Sequence, residues 1–216
     1  MSDWIAADWP APTTIVAGTT LCTGNESALP LSGQPCWLNQ VHGSNVVTAE
    51  GFDQTPDADA SVKGSDPFWC AVRTADCLPV LMCSQNGEVF GAAHAGWRGL
   101  AAGVIENTVA MLTQNPANLL VWLGPAISQP SFEVGDEVRA AFVGHDPNAD
   151  ACFEANSRGR WQADLYGLAR QRLASVGVSR IFGGGFCTYL DKDRFYSHRR
   201  NPDCGRLISF VGPRAP

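Results

Sequence analysis

The residues best suited to chemistry sit where apolar runs stop. In Val-Arg-Thr-Ala-Asp-Cys-Leu-Pro-Val-Leu-Met-Cys the run over 78–83 is preceded by Arg73, Thr74, Asp76 and Cys77. A second run, over 89–93, ends at His94 and the turn Gly96-Trp97-Arg98-Gly99. Upstream, Gln40-Val41-His42-Gly43 supplies another imidazole before a short β-like run at 46–48. Thiolate and neutral imidazole are preferred zinc ligands, and three protein ligands with an open fourth position mark a catalytic site. His42, Cys77 and His94 are therefore expected to meet around one ion. The same residues are compatible with two hydrogen-bonded turn histidines and a buried thiol. Two imidazoles and one thiolate also describe a blue-copper centre, which needs a weak axial ligand such as Met. The internal methionine near them, Met82, lies within a strand run, so zinc is preferred and Cu2+ remains a possible occupant.

Other groups complete a candidate cleft. Arg98 lies where a strand becomes a helix N-terminus, whose free N–H groups and positive dipole end favour anions. The alternative is a helix-start turn with Arg98 paired to a surface carboxylate. Asp76, polar on an otherwise apolar run, and Arg98 are the candidate catalytic residues, and Arg73 and Arg98 candidate substrate contacts. Near the C-terminus Cys187, Thr188, His198 and Arg199, with Tyr196, Ser197 and Arg200, offer hydroxyl, imidazole and guanidinium groups to a substrate. Arg199 and Arg200 read equally well as a charged edge strand. Asp57 and Asp59 fall in a polar, Pro-containing loop and are expected to be solvated. Gly183-Gly184-Gly185 lacks the Lys-Ser/Thr and helix of a phosphate-binding loop and reads as a tight turn.

These residues need a scaffold of covered strands and packed helices. The near-continuous apolar runs at 68–72, 78–83 and 89–93 read as strands buried on both faces. Helical spacing predicts helices over 100–114, 136–142 and 165–176, the last capped by Asp164 and stopped by Gly177. Further strands are expected at 119–123, 181–182, 195–197 and 207–211, with 132–134 extended. Residues 1–35, rich in Thr, Ala, Pro and Gly, read as an irregular arm with one short strand near 14–17, and 36–216 as one domain. The fold class is α/β: a single domain of mixed β-sheet layers with packed helices.

Composition narrows the partners. The chain has 216 residues, is 45% hydrophobic and carries a formal net charge of -6 with 15 Lys+Arg, which argues against a nucleic-acid or anionic-membrane surface. A small-molecule substrate is expected. No window is apolar enough to span a bilayer, and the acidic N-terminal stretch lacks a secretory signal, so a cytoplasmic location is expected. There the 8 cysteines stay reduced, and Cys22, Cys36, Cys70 and Cys152 read as buried small hydrophobes.

The motifs QVHG, TADCLPV, AAHAGWRG, LGPAI, FEVGDEV, DLYGLARQRL and CTY followed by FYSHRR together resemble the YfiH family, also known as the laccase-domain or multicopper polyphenol oxidase-like family. The resemblance runs from about residue 35 to 211. It implies zinc on His42, Cys77 and His94, and phosphorolysis of purine nucleosides (adenosine, inosine, guanosine, methylthioadenosine) by phosphate, with adenosine deamination. It also implies, as alternatives, copper-dependent phenol oxidation or editing of a peptidoglycan precursor by an amidase. Before residue 35 the chain lacks the Arg-x-Gly-Gly and Asn-Leu-Gly motifs of such proteins. A binding domain with impaired catalysis is the further alternative. The zinc-deaminase signature is absent too, with Gly96 where its Glu would be.

Overall fold

The structure, a computed structural model, describes residues 3–65 and 67–216; Met1 and Ser2 of the expected arm lie outside the described residues. In chain order the strands are β1 (Trp4–Ala6), β2 (Ile15–Thr20), β3 (Gln34–Cys36), β4 (Val46–Thr48), β5 (Ala60–Val62), β6 (Phe68–Thr74), β7 (Leu78–Ser84) and β8 (Phe90–Ala95). Helices α1 (Trp97–Ala101) and α2 (Val104–Leu112) follow, then β9 (Leu119–Leu123), β10 (Glu133–Val134) and α3 (Asp136–Val143). The chain closes with β11 (Phe153–Ala155), β12 (Trp161–Ala163), α4 (Leu165–Ser175), β13 (Arg180–Gly183) and β14 (Leu207–Pro213).

Among the described residues these form three mixed or antiparallel sheets. One has six strands in the order β13-β9-β7-β8-β5-β4, one five in the order β1-β2-β14-β6-β3, and one three in the order β10-β12-β11. Strand alternation explains the layering. Along β7, Leu78, Val80 and Met82 join the core under α2 and α4, while Leu81 and Cys83 join a second core with Cys70, Val72 and Val211 of the five-stranded sheet. The runs are thus apolar throughout because both faces are covered. One cover is helical; the other is a sheet, so the outcome is an α/β domain in which helices pack on a single side.

The expected helix at 100–114 is two helices. Gly103, at φ +92, breaks it, a conformation that glycine adopts without a Cβ penalty. Residues 195–197 form no strand. The stretch expected to be an irregular arm differs most, although the short strand expected near 14–17 falls within β2. β2 is buried along its whole length and lies between β1 and β14, with Thr19 Oγ1 hydrogen-bonded to Ser209 Oγ at 2.8 Å. Trp122 Nε1 donates to Asp8 Oδ1 at 2.6 Å, tying the segment before β2 to the central sheet. Pairing with residues about 190 positions away is invisible to local pattern. Among the described residues no helix is long and apolar enough to cross a membrane.

Candidate metal centre and its cavity

Each of the three predicted ligands is delivered by the end of an element. His42 lies in the loop between β3 and β4, Cys77 directly before β7, and His94 near the end of β8, opposite Pro79 in the β7–β8 ladder. One ligand atom from each of the three lies within 4.8 Å of the others. Gly96 makes room for them: a Cβ there would stand 2.9 Å from Cys77 Sγ and 3.3 Å from His42 Cδ2. Gly99, at the start of α1, lets the His42 loop close on the helix, since its Cβ would stand 2.7 Å from the Gly43 carbonyl oxygen.

A buried carboxylate organises two of the ligands. Asp59 is fully buried beside β5. Its Oδ1 accepts from His42 N at 3.0 Å and pairs with His94 Nδ1 at 2.7 Å; its Oδ2 accepts from Val41 N at 3.2 Å and Gly43 N at 2.6 Å. With Nδ1 engaged, Nε2 is the nitrogen His94 presents to Cys77 and His42, the carboxylate–histidine arrangement typical of metal ligands. The expectation that Asp59 is solvated is therefore corrected. It sits in a polar-looking loop, but it immediately precedes the buried Ala60–Val62 strand, and that position was the signal.

The electrostatics fit a cation. Burial pushes the Cys77 thiol up, but hydrogen bonds and charge from His42 and His94 outweigh it and draw the thiol down to about 6. Burial also disfavours charge on His94, yet its bonds to Asp59 and Cys77 raise it to about 9. Asp59 is held below its ordinary value: burial acts upward, and the bonds from His94, Gly43 and His42 prevail. A ready thiolate flanked by a carboxylate-oriented imidazole is the donor set of a zinc or copper site. Met82 is fully buried in the helix-side core, so it supplies no axial sulfur here.

The trio lines a cavity of about 430 Å³ whose wall also includes Gln40, Arg73, His198 and Arg206. Gln40 pins its loop to β6 like an extra strand residue, its Nε2 donating to Arg73 O at 2.9 Å and its Oε1 accepting from Arg73 N at 2.7 Å. Of the expected substrate contacts, Arg73 and His198 reach this wall. Arg206 does so as well and was missed by sequence reasoning; its place depends on how β14 registers against β6.

Other expected residues are placed elsewhere. Asp76 does not line the cavity: its Oδ1 accepts from Thr188 Oγ1 at 2.6 Å, and its Oδ2 from Ser197 Oγ at 3.0 Å and Arg199 N at 2.7 Å. Both oxygens are engaged, so Asp76 fastens the C-terminal loop. Thr188 is consumed in the same network, and Arg199 lies over the Phe132 ring with Nη2 donating to Glu133 O at 3.2 Å. Arg98 is exposed, stacks 4.6 Å from the Trp97 ring and does not line the cavity; α1 has five residues, too few for the expected anion-binding terminus. Cys187 lines a different cavity, of about 350 Å³, with Ser128, Tyr166 and Gly184. Arg200 is structural, donating to the carbonyls of Thr188, Tyr189 and Phe195.

Residues 23–214 match the family model described as multi-copper polyphenol oxidoreductase laccase. The chain belongs to this family. It is 51% identical over 182 residues to the Escherichia coli (strain K12) protein named purine nucleoside phosphorylase YfiH, covering 84% of the chain and 74% of that protein. It is 44% identical over 239 positions to the Pseudomonas aeruginosa purine nucleoside phosphorylase PA4543, covering 98% of both. Because 239 positions exceed the 216 residues of this chain, the Pseudomonas protein carries internal residues without a counterpart here. The crystal structure of Neisseria meningitidis protein NMB0706 superposes with a TM-score of 0.92 at 40% identity, covering 99% of this chain and 100% of that one.

Proposed function

We propose that this chain is a purine nucleoside phosphorylase that works at a zinc ion held by His42, Cys77 and His94. The observation that carries the reading is its identity of 51% to a protein of that name, over an alignment long enough to span positions 42, 77 and 94. The proposed substrates are phosphate with adenosine, inosine, guanosine or methylthioadenosine. In the reaction the bond from ribose C1′ to the purine nitrogen breaks, a bond from C1′ to a phosphate oxygen forms, and the phosphate proton leaves on the purine. Zinc held by His42, Cys77 and His94 would supply Lewis-acid chemistry there.

The chain's own residues do the rest. Asp59 fixes the tautomer of His94 and the path of the His42 loop. Among the described residues no carboxylate lines the cavity, and the Cys77 thiolate on its wall would be held by the zinc. Adenosine deamination at the same site requires a group that moves a proton. His198, an imidazole on the wall outside the trio, is assigned that role in place of Asp76.

A second reading, copper-dependent oxidation of phenols, is favoured by the description of the family model. The chain has 4 histidines in all, and among the described residues one three-ligand group, which is few for several coppers. Phenol oxidation is therefore expected only when copper replaces zinc on the same trio. The deciding experiment supplies zinc-quantified protein with each nucleoside in phosphate buffer and follows free base and ribose 1-phosphate by chromatography. Phosphate-dependent base release that disappears in Cys77→Ser is expected. No release by zinc-loaded wild type would sink the reading and favour a binding domain. Phenol turnover in copper-free zinc enzyme would overturn the ranking of the two activities.

A further inference from the structure

Strand pairing brings two arginines to one cavity. β14 pairs antiparallel with β6, with Leu207 opposite Thr74 and Ile208 opposite Arg73. Arg206 directly precedes β14, and it lines the same cavity as Arg73 of β6. Two cations thus share one cavity wall, and like charges so placed repel. Among the described residues neither has an ion-pair partner, and no acidic residue lines the cavity that both enter.

Both guanidinium groups are held in place without being neutralised. That of Arg73 lies 3.8 Å from the Trp37 ring centroid. Arg206 Nη1 donates to the carbonyls of Cys204 at 2.7 Å and Gly205 at 3.1 Å, which leaves the rest of its fork available. Thr74, next to Arg73 and also on the wall, is buried, and its hydroxyl has no hydrogen-bond partner. Two uncompensated forks on one wall form a pocket for a tetrahedral oxyanion, because guanidinium matches phosphate bidentately.

We propose that Arg73 and Arg206 bind the phosphate co-substrate within the cavity of the metal trio, the role that Arg98 does not fill. The identity of the anion rests on the phosphorylase reading; the presence of an anion site does not. Inorganic phosphate is titrated calorimetrically into zinc-loaded wild type, Arg73→Gln, Arg206→Gln, the double variant and Arg206→Lys, with no nucleoside present and with AMP in a parallel series. Wild type is expected to bind phosphate, each single Gln variant to weaken it about tenfold or more, and the double variant to abolish it, with zinc content unchanged. Arg206→Lys keeps the charge without the fork and is expected to fall between, which separates recognition from misfolding. In turnover, KM for phosphate rises in step while KM for the nucleoside stays within about twofold.

No phosphate binding by wild type at saturating concentration, or wild-type binding by the zinc-loaded double variant, would overturn the proposal. So would AMP binding that depends on the two arginines while free phosphate does not. Phosphate binding lost in the double variant, with no ribose 1-phosphate made by wild type, sinks the phosphorylase reading and leaves this site standing. Phosphorolysis with KM for phosphate unmoved in the double variant does the reverse.

Discussion

Asp59→Asn is the sharpest test of how the metal centre is held. The four groups facing the carboxylate, three backbone N–H groups and His94 Nδ1, divide two to each oxygen. An amide has one acceptor oxygen, so either orientation places its NH2 against two former donors. If NH2 replaces Oδ2, the Val41 and Gly43 N–H groups both lose their acceptor. If it replaces Oδ1, His42 N–H loses its acceptor, and His94 can match the new donor only by moving its proton from Nδ1 to Nε2. That protonates the nitrogen a metal needs.

A buried N–H left unpaired costs about 1–3 kcal/mol. The metal-free variant is therefore expected to lose about 1–3 kcal/mol in the second orientation and more in the first. Losing the carboxylate behind a ligating histidine typically weakens metal binding 10–100-fold, or about 1.4–2.7 kcal/mol. Competition against a chromophoric zinc chelator measures the affinity, and urea unfolding of metal-free protein measures stability. Zinc affinity within about threefold of wild type, together with an unchanged urea midpoint, would refute the assignment of Asp59 as the residue that orients His94.

Four further outcomes follow from the same geometry. Arg98→Ala is expected to keep kcat/KM within about twofold, the usual range for an exposed substitution, and a large loss would restore Arg98 to the site. Asp76→Asn is expected to lower stability by about 2–4 kcal/mol in urea while zinc content holds, because it weakens the ties to Thr188, Ser197 and Arg199; an unchanged midpoint contradicts this. A strong chelator is expected to lower the melting temperature of wild type but not of Cys77→Ser, since an ion bound only to the native state stabilises it; equal curves mean that the trio holds no resident metal. Burial acts upward on the Cys187 thiol, but bonds from Ser128 and the Leu190 backbone hold it below the ordinary value, whereas burial raises Cys36, Cys70, Cys83 and Cys152. Peptide mapping after brief iodoacetamide treatment at neutral pH is expected to find label on Cys187 and none on those four; the opposite pattern refutes the reasoning.

What the sequence revealed depended on how local each cause was. His42, Cys77 and His94 stood out because polar ligands interrupt apolar runs at strand ends, a pattern contained within a few residues each. The central strands were legible for the same reason, and the 119–123 run coincides with β9. Side-chain direction was not legible. Asp76 and Arg98 have plausible chemistry at plausible positions, yet one carboxylate turns toward Thr188 and Ser197 and the guanidinium turns to solvent over Trp97. The strand expected near 14–17 falls within β2, but its central place in a sheet and the place of Arg206 were hidden, since both depend on strands far along the chain.

The backbone around the ligands shows what the two buried carboxylates accomplish together. Among the described residues His42, at φ +59, and Asp76, at φ +91, are the non-glycine residues in left-handed conformations; one belongs to the His42–Cys77–His94 group that could hold a metal, and the other precedes a member of it. Such conformations cost about 1–3 kcal/mol each and persist only where the surroundings impose them. For His42 the imposing group is Asp59, which takes the N–H groups of residues 41, 42 and 43 in succession. For Asp76 it is its own carboxylate, anchored to Thr188, Ser197 and Arg199, together with its carbonyl, which accepts from Ile127 N at 3.0 Å. Each acid thus fixes the path of the chain at or beside one ligand while staying off the cavity wall. The wall keeps its arginines unneutralised in a chain whose formal net charge is -6, the local inversion of charge that capture of an anion requires.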